Sequence, residues 1–202
     1  MAALELVSTG PSDLNWRAGL PVLSDGSVVL RELRLSDAPA LHKIVRSPEV
    51  ARFMWPPPGR VDGFKRFITW THTERAQGKY VCFGIVPFGS RQAAGLFELR
   101  PTQPGFFRGE LGFFLDPACW GTGLFSAAAR LMLDFAIDVI GVRRIEARVA
   151  TDNVRGNHAL RKLGAVREGL LRGGFMRDGQ LIDQYLWAFT APLDDHGDSI
   201  RR

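Results

Sequence analysis

The spacing of apolar and polar positions changes several times along the chain, and each change marks an element. Val28, Leu30, Leu33 and Leu35 are apolar, with Arg31, Glu32 and Arg34 between them. Successive strand side chains point to opposite faces, so this predicts a strand with one irregularity. Ser36-Asp37 offers a helix N-cap, Pro39 falls in the first turn where its missing N–H costs little, and Leu41, Ile44 and Val45 make an apolar stripe. The run Trp55-Pro56-Pro57-Pro58-Gly59 suits neither a helix nor a central strand and must be a loop. After it Phe64, Phe67, Ile68 and Thr71 recur at helical spacing up to a stop at Gly78.

Tyr80–Val86 and Ala93–Arg100 read as strands around Pro87-Phe88-Gly89-Ser90, and Glu110–Asp116 as a strand ended by Pro117. Leu124, Ala128, Leu131 and Phe135 predict a long helix that stops at Gly141. Arg144–Ala150 alternates as a strand, and Asn153–Leu163 is a helix with Gly164 past its end. Val166–Arg172 and Leu181–Thr190 are the last two strands. Residues 1–26 start irregularly and then form a short hairpin through Asp25-Gly26, while 193–202 read as a tail. A meander followed by β–α–β units predicts an α/β (α+β) fold. It would be a single domain over residues 27–192, with a mixed twisted sheet of about six or seven strands and about four helices.

Composition narrows the class. Hydrophobic residues are 46% and charged residues 23% of 202, enough for a buried core and wrong for a disordered chain. Apolar runs break within about ten residues, short of the ~20 that span a bilayer. The first thirty residues lack a charged segment followed by an apolar one, so no secretory signal is read and a cytoplasmic location is expected. The two cysteines, Cys82 and Cys119, are expected to be buried free thiols. The net charge of +5 is uneven: Arg143 to Arg177 holds nine basic residues against three acidic ones. Such a field favours an anionic partner, although a solvated basic face would look the same in sequence.

The strongest local feature runs from Gly109 to Ala128. A strand enters the turn Trp120-Gly121-Thr122-Gly123, and the turn opens a helix with no acid in its first two turns. The first amides of a helix lack internal partners and sit at its positive end. Gly121 and Gly123 let the backbone approach a bulky anion. No Gly-Lys-Ser/Thr follows, so this is not a P-loop, and no acid ends a second strand as a dinucleotide fingerprint needs. From these residues alone, glycines that merely turn a tight corner remain an alternative to a phosphate site.

Leu115-Asp116-Pro117 followed by Trp120-Gly121-Thr122-Gly123 resembles the coenzyme motif of the GNAT N-acetyltransferase superfamily, and is most like its RimJ/RimL-type members. Gly109-Glu110-Leu111-Gly112-Phe113 resembles their strand before the motif. Asn153-Val154-Arg155-Gly156-Asn157 and Leu160-Arg161-Lys162-Leu163-Gly164 resemble their next helix, and Arg172, Gly179 and Asp183 their C-terminal hairpin. The resemblance spans about residues 27–190. It implies acetyl-CoA as cosubstrate, held by Trp120, Gly121, Thr122, Gly123, Leu124, Phe125 and Ser126, by Asn153 and Asn157, and by Phe114 and Leu115 on the strand. The basic window would assist with the coenzyme phosphates. Three departures stand out: Phe125 replaces a small residue, Leu160 stands where many members carry a proton-donating Tyr, and Gly156 and Ala165 replace a Ser and a Phe.

Acetyl transfer to an amine needs a neutral nitrogen, a polarised thioester carbonyl and a stabilised thiolate. The resemblance implies that two strands splay beside the turn, where the N–H of Phe114 or Leu115 meets the carbonyl. Glu110 is the first candidate base and Glu98 the second; Ser126 and Asn157 are the polar groups expected near the thiol. Glu110 paired with Arg108, Ser126 bonded to its own helix and Asn153 acting as an N-cap are the structural alternatives. The acceptor pocket is expected from the first two helices and the Trp55 loop, with Trp55, Trp70 and Phe106-Phe107 as lining. His42, His72, His158 and His196 lack ligand spacing, so no metal is expected. The expected partner is an amine, either a peptide (a protein N-terminus) or a small molecule (polyamine, aminoglycoside or amino-sugar). A homodimer is compatible with this, while membrane and nucleic acid are not expected. A non-catalytic acyl-CoA-binding module is the rival from another class.

Overall fold

The computed structural model describes residues 15–191. Eight strands form one mixed sheet: β1 (Leu23–Ser24), β2 (Val28–Glu32), β3 (Val81–Pro87), β4 (Gly95–Pro101), β5 (Arg108–Leu115), β6 (Arg144–Ala150), β7 (Val166–Arg177) and β8 (Gln180–Thr190). Their spatial order is β1-β2-β3-β4-β5-β6-β8-β7. Every neighbouring pair is antiparallel except β5 with β6. Five α-helices accompany the sheet: α1 (Ala38–Val45), α2 (Pro48–Ala51), α3 (Val61–Ala76), α4 (Leu124–Asp134) and α5 (Val154–Lys162). The expected α/β class, mixed sheet and single domain are all present, with one more strand and one more helix than expected. The expected start before residue 15 and the tail at 193–202 lie outside the described residues.

The two faces of the sheet carry separate cores. On one, α4 covers Leu30, Phe83, Phe97, Leu99, Leu111 and Leu115 through Ala128, Ala129 and Met132. On the other, α1 and α3 cover Leu33, Tyr80, Cys82 and Leu96 through Leu41, Phe64 and Ile68. Alternation on β5 therefore sends Leu111, Phe113 and Leu115 toward α4, and Glu110, Gly112 and Phe114 toward α1 and α3.

Three local readings change. β2 ends at Glu32 because Asp37 draws the chain inward. Its buried carboxylate accepts from Arg31 Nη1 and Nη2 (2.8 and 2.9 Å), the Arg34 amide (2.8 Å) and the Ala93 amide (3.0 Å). The helix from Leu124 widens into a π-helical turn over Phe135–Ile140 before Gly141. Both cysteines are free, but only Cys82 is buried; Cys119 is half-exposed, because the turn it precedes lies at the surface. Among the described residues no helix is long and apolar enough to cross a membrane.

Candidate active site

β5 and β6 are paired only from Arg108–Glu110 to Arg144–Glu146. Beyond that β5 stays with β4 as far as Leu115, and β6 stays with β8 as far as Ala150, so the two strands part. A cleft of about 820 Å³ opens at their divergent end. Its floor is Phe113, Phe114 and Leu115. One wall is the turn from Cys119 to Ser126, a second is α5 with the two residues before it, Asp152 to Lys162, and a third is α2 with the residues after it, Glu49 to Met54.

The turn has the character expected of an anion site. Gly121 and Gly123 adopt φ of +75° and +88°, which glycine reaches without strain, and no atom lies within 4 Å of where a Cβ would project at either. At the start of α4 the Leu124 amide bonds the Thr122 hydroxyl oxygen (3.3 Å) and the Ala127 amide the Gly123 carbonyl (3.1 Å). Among the described residues no acceptor is bonded to the amides of Gly121, Thr122, Gly123, Phe125 or Ser126. No acid occupies the first turn. Unpartnered amides converging at a helix start bind phosphate. The corner itself is held by Thr122 Oγ1 on the Cys119 carbonyl (2.8 Å) and Trp120 Nε1 on the Leu115 carbonyl (3.0 Å).

Hydrogen-bond alternation separates the two oxyanion candidates. The Thr102 amide bonds the Arg108 carbonyl (3.1 Å) and the Asp116 amide bonds the Ala94 carbonyl (2.7 Å). Between these, every second residue of β5, Phe114 included, exchanges its amide with β4. The amides of Phe113 and Leu115 therefore face the side from which β6 departs. Leu115 is the candidate free to meet a ligand there.

The remaining expected residues fall into three groups. Trp120, Gly121, Gly123, Phe125, Ser126 and Asn153 line the cleft, while Thr122 and Leu124 do not. Phe125 turns its ring inward, with centroids 4.9 Å from Phe113 and 5.5 Å from Phe97, and so joins the core and leaves the turn uncrowded. Asn153 caps α5 by accepting from the Gly156 amide (2.9 Å). A Cβ at Gly156 would come within 2.8 Å of the Asn153 side chain, which explains the glycine there. Asn157 is absent from the lining. Its Nδ2 donates to the Ala150 and Asn153 carbonyls (2.9 Å each) and its Oδ1 accepts from Trp187 Nε1 (2.8 Å), so it pins α5 to β6 and β8. Neither Glu110 nor Glu98 lines the cleft. Glu110 accepts from Arg100 (3.0 Å) rather than from Arg108, and is about 16 Å along the strand from Leu115. Glu98 accepts from the Tyr80 hydroxyl. Burial, then the charge of Glu98, pushes the Tyr80 phenol well above its usual value.

The basic window does not form one patch. Only Arg155 and Lys162 of its cations line the cleft, with His158 beside them. Arg144 is bonded to Glu146 (2.7 Å) and to Glu168 (2.9 Å). Arg177 donates to the carbonyls of Ala51 and Met54, fastening the segment after α2 to the β7–β8 hairpin. Trp55 packs on Phe175 at the same junction, ring centroids 5.1 Å apart. The Cys119 thiol is raised by burial and by Asp116, so it has no nucleophilic bias. Helix α2 escaped the sequence reading, although Ser47-Pro48-Glu49 carries its signal: Ser47 is the N-cap and Pro48 the first helical residue. Among the described residues no group of three His, Cys, Asp or Glu could hold a metal ion.

Residues 27–166 match the family model described as "Acetyltransferase (GNAT) domain". An uncharacterized N-acetyltransferase, p20, of Bacillus licheniformis is 28% identical over 162 residues, covering 80% of this chain and 91% of its own. The spermidine N(1)-acetyltransferase of Escherichia coli K12 is 26% identical over 162 residues, covering 76% and 81%. Mycobacterium smegmatis RimJ, solved in complex with CoA-disulfide, superposes with a TM-score of 0.73 at 25% identity over 85% and 86% of the two chains. With the splayed strands, the glycine turn and its unpartnered amides, these likenesses identify acetyl-CoA as the cosubstrate. The chain belongs to the GNAT family of acetyl-CoA-dependent N-acetyltransferases.

Proposed function

We propose that this enzyme acetylates a primary amine, with a protein N-terminus as the leading acceptor. The observation that carries the reading is the set of unpartnered amides of Gly121, Thr122, Gly123, Phe125 and Ser126 beside the parted ends of β5 and β6. It supplies a pyrophosphate cradle within reach of a strand amide that can polarise a carbonyl. The amides of Gly121, Thr122, Gly123, Phe125 and Ser126 would hold the pyrophosphate, and Arg155 and Lys162 would supply positive charge to the phosphates. The Leu115 amide would meet the thioester oxygen as it gains charge. Ser126, in the first turn of α4 and on the cleft wall, is the hydroxyl available to the departing thiolate.

The reading requires no dedicated side-chain base. Holding the neutral fraction of an amine against a thioester can by itself be worth several orders of magnitude. The resemblance of the Leu115–Gly123 motif to RimJ/RimL-type members, which acetylate ribosomal-protein N-termini, favours a peptide acceptor. A small cationic amine is the second reading, favoured by the match to a spermidine acetyltransferase.

The test is thiol release from acetyl-CoA with alanyl-peptides, spermidine and kanamycin in turn, together with the melting temperature in acetyl-CoA and in adenosine. We expect release with at least one amine. We also expect acetyl-CoA to raise the melting temperature well beyond adenosine, because a ligand that binds only the native state stabilises it by mass action. Stabilisation by acetyl-CoA with no release from any amine would leave a coenzyme-binding module.

A further inference from the structure

The cleft is electrically asymmetric, and the asymmetry identifies where the acceptor enters. Among the described residues only two acids, Glu49 and Asp152, line the cleft. Asp152 is neutralised by Arg52 across the mouth at 2.6 Å. Arg52 stands three residues after Glu49, where the two could pair along one helical turn. It reaches instead to Asp152, one hundred positions away in sequence. Among the described residues Glu49 therefore has no ion-pair or hydrogen-bond partner, and it stands exposed on the wall of the cleft. At the opposite side stand Arg155 and Lys162 of α5, the cations suited to phosphate.

Three attachments hold the backbone that carries Glu49. Ser47 caps α2 by accepting from the Val50 amide (3.4 Å), Arg177 grips the Ala51 and Met54 carbonyls, and Trp55 packs on Phe175. An unpaired carboxylate on the wall of a cleft whose other acid is already taken by Arg52 is suited to an ammonium group. Phe53 and Met54 beside it supply apolar surface for the carbon chain that bears the nitrogen.

We infer that Glu49 is the acceptor-binding carboxylate, receiving the protonated amine at the α2 side of the cleft, where the nitrogen must give up its proton to water before it attacks the thioester. The inference rests on the amine-acetylating reading above and adds to it the residue that selects cationic acceptors. The alternative is structural, since an acid in a helix's first turn also complements the backbone dipole.

Glu49→Gln and Glu49→Asp separate the two, with alanyl-phenylalanine amide and spermidine as acceptors. We expect Glu49→Gln to raise KM for both amines at least tenfold. kcat should stay within about threefold and acetyl-CoA affinity should be unchanged. Glu49→Asp should recover part of the loss, and added salt should shrink the difference between wild type and Glu49→Gln. An unchanged KM overturns the inference while leaving the acetyltransferase reading intact. So does a lowered melting temperature as the only effect, or a fall in kcat at constant KM. Should the wild type acetylate neither probe, calorimetric titration of each amine into the CoA-bound protein decides instead. Tenfold weaker binding to Glu49→Gln supports Glu49 although that reading fails, whereas equal binding or none to the wild type overturns the inference.

Discussion

The guanidinium of Arg155 lies 4.5 Å from the centroid of the Trp120 ring, joining the first turn of α5 to the first residue of the glycine turn. Trp120 is held in turn by its Nε1–H on the Leu115 carbonyl. The stack thus ties strand β5, the turn and α5 into one rigid corner, with a positive charge on the cleft wall. A guanidinium on an indole face is attracted by the ring quadrupole and keeps its edge free for bidentate contact with phosphate.

Removing that charge should loosen the coenzyme. We expect Arg155→Ala to weaken acetyl-CoA binding by roughly tenfold, about 1.4 kcal/mol, and to flatten the salt dependence of binding. Arg155→Lys should recover only part, because an ammonium cannot stack and fork in the same way. Calorimetry at two salt concentrations measures both. An unaltered dissociation constant would put the phosphates elsewhere.

Gly123→Asp tests the cradle directly. The position has φ of +88°, faces open space and precedes the unpartnered amides of Phe125 and Ser126. A carboxylate there repels phosphate, and its Cβ strains the backbone. Acetyl-CoA affinity should fall at least tenfold, by about 1.4 kcal/mol or more, while circular dichroism still reports a folded chain.

For Glu110 the fold revises what the sequence suggests. A general base is worth roughly 10²–10⁴ in rate, and Glu110→Gln would lose that much if Glu110 were the base. Its carboxylate is instead on Arg100 and is absent from the cleft lining. We therefore expect a loss below tenfold in kcat. A loss of 10² or more that is relieved as pH rises would restore Glu110 to the mechanism.

Asp37 should be among the most sensitive positions for stability. Burial alone would raise its carboxyl, but Arg31 and the amides of Arg34 and Ala93 outweigh that and hold it below the usual carboxylate value. A depressed folded value gives stability that is complete above the unfolded pKa of about 3.9 and lost as pH falls through the folded value. Asp37→Asn leaves Arg31 buried without its charge partner, which should cost about 3–5 kcal/mol near neutral pH. The gap between wild type and variant in denaturant midpoints should be constant from about pH 5 to 8 and should narrow below about pH 4.

Features that depend on neighbouring residues are legible in the sequence itself. The alternation of Arg144–Ala150 and the helical stripe after Leu124 matched β6 and α4 closely. The turn at Gly121 and Gly123 was readable because positive φ and a helix start are properties of a few consecutive residues. The short helix α2 was missed because four residues make too little periodicity, and its cap was the only sign.

What the tertiary structure alone decided is where each side chain ends up. Phe125 could crowd the cradle or enter the core, and the rings of Phe97 and Phe113, on strands β4 and β5, draw it inward. Asn157 looked like a ligand contact until Trp187, thirty positions on, took its oxygen. The basic run from Arg143 to Arg177 reads as one charge in sequence. The fold spends Arg144 on Glu146 and Glu168 and Arg177 on the α2 segment, leaving Arg155 and Lys162 at the cleft. Local order specifies backbone conformation, because torsions and caps act over a few residues. Charge pairing and packing act between residues that only the folded chain brings together, so Glu49 faces the cleft unpaired because Asp152 holds Arg52.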